Sequence, residues 1–221
     1  MSGPETYARL DAAVDAATAQ LDAQRAPRVH APNRRKLTVE NAAAYLKRHG
    51  YREEVCPRAF REVCAYIAAR NNSATRKGLM LYGDVGTGKT MLLRLLGLPV
   101  RRAAWYVREW QEQPTRHDFD AVVYGAYRSG QCVVTAAEGM PRMVIDDLGG
   151  EPAGMRYGER CEVLGQVLCD RYDHWQQTGA RTFVTSNCEW QAILDRYGAR
   201  VTDRLREMCA VIEFRGESAR G

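Results

Sequence analysis

The chain has 221 residues, of which 45% are hydrophobic and 27% charged, with a formal net charge of +5. That length holds one core of about 100–200 residues plus a shorter accessory segment, and the composition excludes a disordered or fibrous chain. No stretch approaches the roughly 18 uninterrupted apolar residues of a membrane-spanning helix, and no basic-then-apolar leader opens the chain, so no membrane and a cytoplasmic location are expected. The seven cysteines, Cys56, Cys64, Cys132, Cys161, Cys169, Cys188 and Cys209, never fall in a C-x-x-C spacing, which reads as reduced, mostly buried thiols. A zinc site built from His49, Cys56 and Cys64 would lack paired ligand spacing. The positive charge favours polyanion partners only mildly.

In chain order, residues 7–25 set Leu10, Val14, Ala17 and Leu21 at spacings of four and three, one narrow stripe of a short amphipathic helix. Such a helix either docks on its own domain or binds a partner. Residues 26–36 (APRVHAPNRRK) hold two prolines and four basic residues and read as a linker. The cluster Arg34, Arg35 and Lys36 is a solvated face or a nucleic-acid contact. The expected division is a helical segment with its linker over 1–36 and a main domain over 37–221. Two helices follow at 39–49 and 57–70. In the second, Pro57 suits the first helical position, Phe60, Val63, Cys64 and Ile67 share a face, and Asn71-Asn72 end it.

From Gly78 onward short apolar runs alternate with helical periodicity, the pattern of an α/β domain with a parallel sheet. Five strands are predicted, at 79–82, 103–107, 142–146, 182–185 and 210–214. The clearest helix, over 157–177, repeats Val163, Leu164, Val167, Leu168, Tyr172 and Trp175. Residues 105–142 read as long and irregular, with Tyr106, Trp110, Tyr124 and Tyr127 interleaved among Arg108, Arg116 and Arg128.

The strongest local signal is GDVGTGKT over 83–90, which satisfies G-x-x-x-x-G-K-[ST] between a strand-like GLMLY and a helix-like MLLRLL. Gly83, Gly86 and Gly88 let the backbone approach phosphate oxygens, the helix N-terminus adds partial positive charge, Lys89 reaches the β- and γ-phosphates, and the Thr90 hydroxyl can ligand magnesium. The candidate nucleotide-binding residues are therefore Gly83, Asp84, Val85, Gly86, Thr87, Gly88, Lys89, Thr90 and Met91. In RMVIDDLGGE, Asp146 ends a buried strand where a carboxylate can hold magnesium, and Asp147 stands next to it, placed to orient or deprotonate a water. In TFVTSN, Asn187 could reach the γ-phosphate or that water. ATP and Mg²⁺ are the cofactors these residues suit.

This order resembles the AAA+ replicative helicase loaders of bacteria and phages and the related transposition helper ATPases, the DnaC/DnaI and IstB group. The similarity runs from Gly78 to the C-terminus on the phosphate loop, IDDLGGE, VTSN, RYGARVTDRL and VIEFRGESAR. It implies a P-loop NTPase with an AAA+ core and five-stranded parallel sheet. It also implies an ATPase that delivers a ring helicase to single-stranded DNA as an ATP-dependent homo-oligomer. In the family, arginines matching Arg200 and Arg204 act at a subunit boundary, one as a finger on the neighbour's nucleotide; read without the resemblance, they form a basic helix face paired with Asp195 and Asp203. Family loops matching 105–142 face the assembly's channel, which makes the aromatics there a candidate single-stranded DNA surface. This sequence departs from the common AAA+ pattern in three respects. Asp146-Asp147 replaces Asp-Glu, which implies slow hydrolysis. The chain ends soon after the last strand, which leaves no room for a full helical lid. Residues 1–77 match no family motif, so a helicase-binding role there follows from position alone. The rival readings are an IstB-type helper, which would bind double-stranded DNA and a transposase, a P-loop small-molecule kinase, and a scaffold that hardly hydrolyses.

Overall fold

The structure, a computed structural model, describes residues 37–71, 75–128 (side chains to 123) and 142–218. The helix and linker expected over 1–36, with Arg34, Arg35 and Lys36, lie outside the described residues, as do Asn72, Cys132 and the side chains of Tyr124, Tyr127 and Arg128.

Helix α1 (Val39–Arg48) starts where the Thr38 hydroxyl accepts the Asn41 amide at 3.2 Å, and it carries Lys47 and Arg48 in its last turn, both favourable against the helix dipole. After a 3₁₀ turn (Glu53–Val55), α2 (Pro57–Asn71) opens on proline as its sequence predicts. Strand β1 (Gly78–Gly83) leads into α3 (Lys89–Leu95), followed by α4 (Ala103–Glu112) and α5 (Arg116–Arg128). Strand β2 (Met143–Ile145) precedes a two-stranded hairpin, β3 (Gly154–Arg156) and β4 (Glu159–Cys161). Helix α6 (Val163–Thr178), β5 (Thr182–Thr185), α7 (Trp190–Tyr197), α8 (Ala199–Met208) and β6 (Cys209–Phe214) complete the domain.

The main sheet is wholly parallel, in the order β2-β5-β1-β6. Strand alternation splits its side chains between two cores. Met80, Met143, Ile145 and Val184 pack under α4 to α8, whereas Leu79, Leu81, Val144 and Phe183 pack under α1 to α3. Residues leaving the carboxyl ends of β1, β2 and β5 therefore gather at one edge of a sheet covered on both faces. No helix among the described residues is long and apolar enough to cross a membrane.

Three expectations are corrected. Among the described residues the sheet has four strands, because 103–107 is helical: Ala103, Tyr106 and Val107 are buried and Trp110 packs beside them, an i, i+3, i+4, i+7 face that a five-residue window hides. A trace of the fifth strand survives as a single parallel bridge between Arg102 and Asp146. The helix expected from 157 begins at Val163, because Tyr157-Gly158, with φ of 53° and 83°, forms the two-residue turn of the β3–β4 hairpin. The stretch expected to be irregular from 105 carries α4 and α5.

Candidate active site

Between β1 and α3 the loop runs through three glycines with positive φ, Gly83 (114°), Gly86 (83°) and Gly88 (89°). At Gly83 an added Cβ would lie 2.3 Å from the Phe214 carbonyl oxygen, so neither the dihedral nor the space admits a side chain. The Asp84 amide donates to that carbonyl at 2.8 Å, the Thr87 hydroxyl to the Asp84 carbonyl at 2.8 Å, and the Tyr51 hydroxyl to the Thr87 carbonyl at 3.1 Å. Lys89 is buried, and its ammonium curls back onto the carbonyls of Gly83 (2.9 Å) and Asp84 (2.6 Å). Burial lowers its pKa below the ordinary lysine value, against the opposing pull of Asp84, Asp147 and Asp146. Val85 at the loop's crown and Met91 on α3 are exposed.

At the second residue of α3, the Thr90 hydroxyl donates to Asp146 Oδ1 at 2.7 Å. The same carboxylate oxygen accepts the Thr185 hydroxyl at 2.6 Å, and Thr185 Oγ1 in turn accepts the Asp147 amide at 2.9 Å. Asp147 takes a left-handed φ of 64°, uncommon for a residue with a side chain, and its Oδ1 accepts from Asn187 Nδ2 at 2.7 Å. Strands β2 and β5 thus bring Asp146, Asp147 and Asn187 to the loop, as their order in the sequence suggests. The donor set fits magnesium: a hydroxyl and a carboxylate converge, both hard oxygen ligands, and Mg²⁺ draws its remaining ligands from phosphates and water. Among the described residues no cage of three or more His, Cys, Asp or Glu side chains exists, and a site of this kind needs none.

The two arginines fare differently. Arg200, in the first turn of α8, is exposed and lines an open groove with Trp190, Gln191 and Arg206. Arg204 is folded onto α6, donating to the Cys169 carbonyl at 3.2 Å, facing Asp173 at 3.4 Å and lying 4.7 Å over the Tyr172 ring. Its partner is Asp173, not the Asp195 or Asp203 expected from sequence neighbourhood. Two of the four aromatics of the suggested DNA surface pack within the domain: Tyr106 is buried with its hydroxyl on the Val144 carbonyl at 2.9 Å, and Trp110 sits edge-on to Phe119, with Arg116 and Arg156 5.7 and 5.1 Å from its ring centre.

Sequence reasoning missed Tyr51 beneath the loop, Thr185 between the two acids, and the grip of Arg196 and Tyr197 on Glu151. Thr185 and Glu151 stand inside VTSN and IDDLGGE, so position gave a hint of them; nothing near Tyr51 in the chain did.

No family model matches the chain. It is 24% identical over 178 residues to the replicative helicase loader DnaI of Bacillus subtilis (strain 168), a match covering 73% of this chain and 53% of that protein. The chain thus spans about half the length of the curated relative it matches. Among solved structures, a crystal structure of DnaI superposes with a TM-score of 0.51 at 20% identity, covering 72% of this chain and 86% of the other. The DnaC helicase loader gives a TM-score of 0.44 at 15% identity, covering 72% and 91%. The chain therefore shares the fold of DnaI, and it resembles that replicative helicase loader in sequence as well as in fold.

Proposed function

We propose that this chain binds ATP with Mg²⁺ and hydrolyses it slowly, as a helicase loader in DNA replication. The observation that carries the reading is the meeting of Thr90 and Asp146 at 2.7 Å, with Asp147 and Asn187 paired beside them. Lys89 exchanges its loop carbonyls for β- and γ-phosphate oxygens, stronger acceptors because they are charged. The loop amides from Val85 to Thr90 face the same oxygens, and Val85 and Met91 flank them at the surface. Thr90 and Asp146 would hold Mg²⁺, which when bound would neutralise phosphate charge. Asp147, fixed by Asn187, orients the attacking water and accepts its proton.

Arg200 is the better placed of the two arginines to reach a neighbour's γ-phosphoryl oxygens, since it is exposed, whereas Arg204 would first have to leave Asp173 and Tyr172. Hydrolysis would then depend on an ATP-dependent homo-oligomer. The likeness to DnaI supports a cytoplasmic replicative helicase as partner, gripped by residues 1–36 ahead of the ATPase domain at 37–221, with single-stranded DNA as the destination. Energy enters through the different affinities of the ATP and ADP states for these partners.

ATP turnover by the full chain, with and without single-stranded DNA, tests the enzymatic part. A pull-down comparing the full chain with one lacking residues 1–36 tests the partner. Capture of a replicative helicase that is lost on truncation is the expected result, and capture of a transposase by the full chain would overturn the loader reading.

A further inference from the structure

Glu151 is a buried acid, 5% exposed, to which the scheme above gives no task. A carboxylate that deep in a protein is costly unless several donors satisfy it. Here the donors come from two sources. Oε2 accepts the Gly149 amide at 2.8 Å, within its own turn. Oε1 accepts the Tyr197 hydroxyl and lies 3.0 Å from Arg196 Nη2, both on the last turn of α7. Burial, and then the Glu151 charge, raise the Tyr197 pKa, which keeps the phenol a donor. Arg196 grips the backbone of the same turn as well, reaching the carbonyls of Gly149 and Glu151 at 2.8 Å each, while its Nε is 3.1 Å from Glu162.

The gripped turn is the one that sets Asp147. Its opposite side is fastened to β5, where the Leu148 amide donates to the Thr185 carbonyl at 2.8 Å and the Ser186 hydroxyl to the Leu148 carbonyl at 2.6 Å. It has no slack, because Asp147 and Gly149 hold φ of 64° and 93°, and a Cβ on Gly149 would come within 2.6 Å of the Cys188 sulfur. On the other side of the grip, Tyr197 leads directly into Gly198 (φ 82°) and the first turn of α8, where Arg200 stands exposed. Two residues, Gly198 and Ala199, therefore separate the phenol that holds the acid turn from the arginine at the surface.

We infer that Glu151, Arg196 and Tyr197 are positioning residues that couple the turn carrying Asp147 to the α7–α8 elbow carrying Arg200, so that a second copy of this chain docking on the elbow resets Asp147. The inference rests on the hydrolytic reading given under Proposed function. A contiguous hydrogen-bonded path joins the two places, the physical requirement for such coupling. It is carried by side chains that touch neither the phosphate loop nor the Thr90–Asp146 pair.

The test compares the wild-type full chain with Tyr197→Phe, which deletes one hydroxyl, and Arg196→Lys, which keeps the charge and loses the fork. For each, affinity for a fluorescent ATP analogue, KM, kcat as a function of protein concentration, and Tm are measured. The expected result for both variants is affinity and KM within about twofold of wild type, kcat lower by roughly 10-fold to 100-fold, and a flattened dependence of kcat on concentration. Unchanged kcat and concentration dependence in both variants overturns the inference, and so does a parallel fall of affinity, kcat and Tm, which marks a merely structural lock. A wild-type chain that binds no nucleotide overturns the hydrolytic reading itself, a failure distinct from an active wild type with indifferent variants.

Discussion

At the carboxyl ends of β1, β2 and β5 the polar side chains are spoken for within the chain, whereas on the outer side of the α7–α8 elbow two arginines are exposed. Thr90, Thr185 and Asn187 all donate to the acid pair, at 2.6 to 2.7 Å. At the elbow, Arg200 and Arg206 are exposed beside Trp190, with Arg206 4.8 Å over the indole ring. The difference separates what one chain organises by itself from what it leaves for a second body. On the proposed function the acids and the phosphate loop are preorganised, so little reorganisation is needed when the reaction begins. On the same reading Arg200, the cation offered to a neighbour's site, is exposed.

The comparison breaks most easily at Lys89. Lys89→Ala is expected to weaken binding of a fluorescent ATP analogue by about 100-fold or more, because it removes the charge aimed at the β- and γ-phosphates. Unchanged affinity would mean that the loop is not a nucleotide cradle. Next in size is Thr185→Val, which takes away the acceptor of the Asp147 amide and a donor to Asp146. Leaving this part-buried amide unpaired is expected to cost about 1 kcal/mol, to be read from denaturant unfolding, with a fall in kcat alongside.

The arginines sharpen the contrast between regions. Arg204→Ala loses its ring contact and its bond to the Cys169 carbonyl, for an expected cost of about 1–2 kcal/mol in the same unfolding assay. Arg200→Ala should leave stability within about 0.5 kcal/mol, as for an exposed site, and lower turnover only where chains associate. The reverse pattern would reassign the in-trans role to Arg204. Smallest is the effect of thiol reagents: burial pushes Cys64 up to about 11 and Cys209 up to about 12. Both should resist alkylation at pH 8, since the thiolate is the reacting species, and peptide mapping reads the outcome.

The same two regions explain what the sequence disclosed. The phosphate loop was legible because its chemistry depends on spacing within eight consecutive residues, and the acids and Asn187 because each ends an apolar run at the same edge of a parallel sheet. Strand β5 was placed to the residue, since Thr182–Thr185 is buried throughout and bounded by polar neighbours. The run from Ala103 to Val107 misled because a buried helix and a buried strand look alike over five apolar-rich residues. The hairpin went unseen because Tyr157 occupies a positive-φ turn position where Asn or Asp is the usual signal. Partners distant in sequence were out of reach altogether: Glu151 was visible within IDDLGGE, but its burial depends on Tyr197 and Arg196, some 45 residues on, and Arg204 takes an aspartate from another helix.

On the proposed function, Thr90 and Asp146 hold one metal on one triphosphate. Titration of a fluorescent ATP analogue with and without Mg²⁺, on the wild-type chain and on Asp146→Asn, tests it most directly. The account predicts that Mg²⁺ tightens binding to the wild type and not to Asp146→Asn, with similar affinity for both in its absence. Equal tightening in the two chains, or indifference to Mg²⁺ in the wild type, would contradict it.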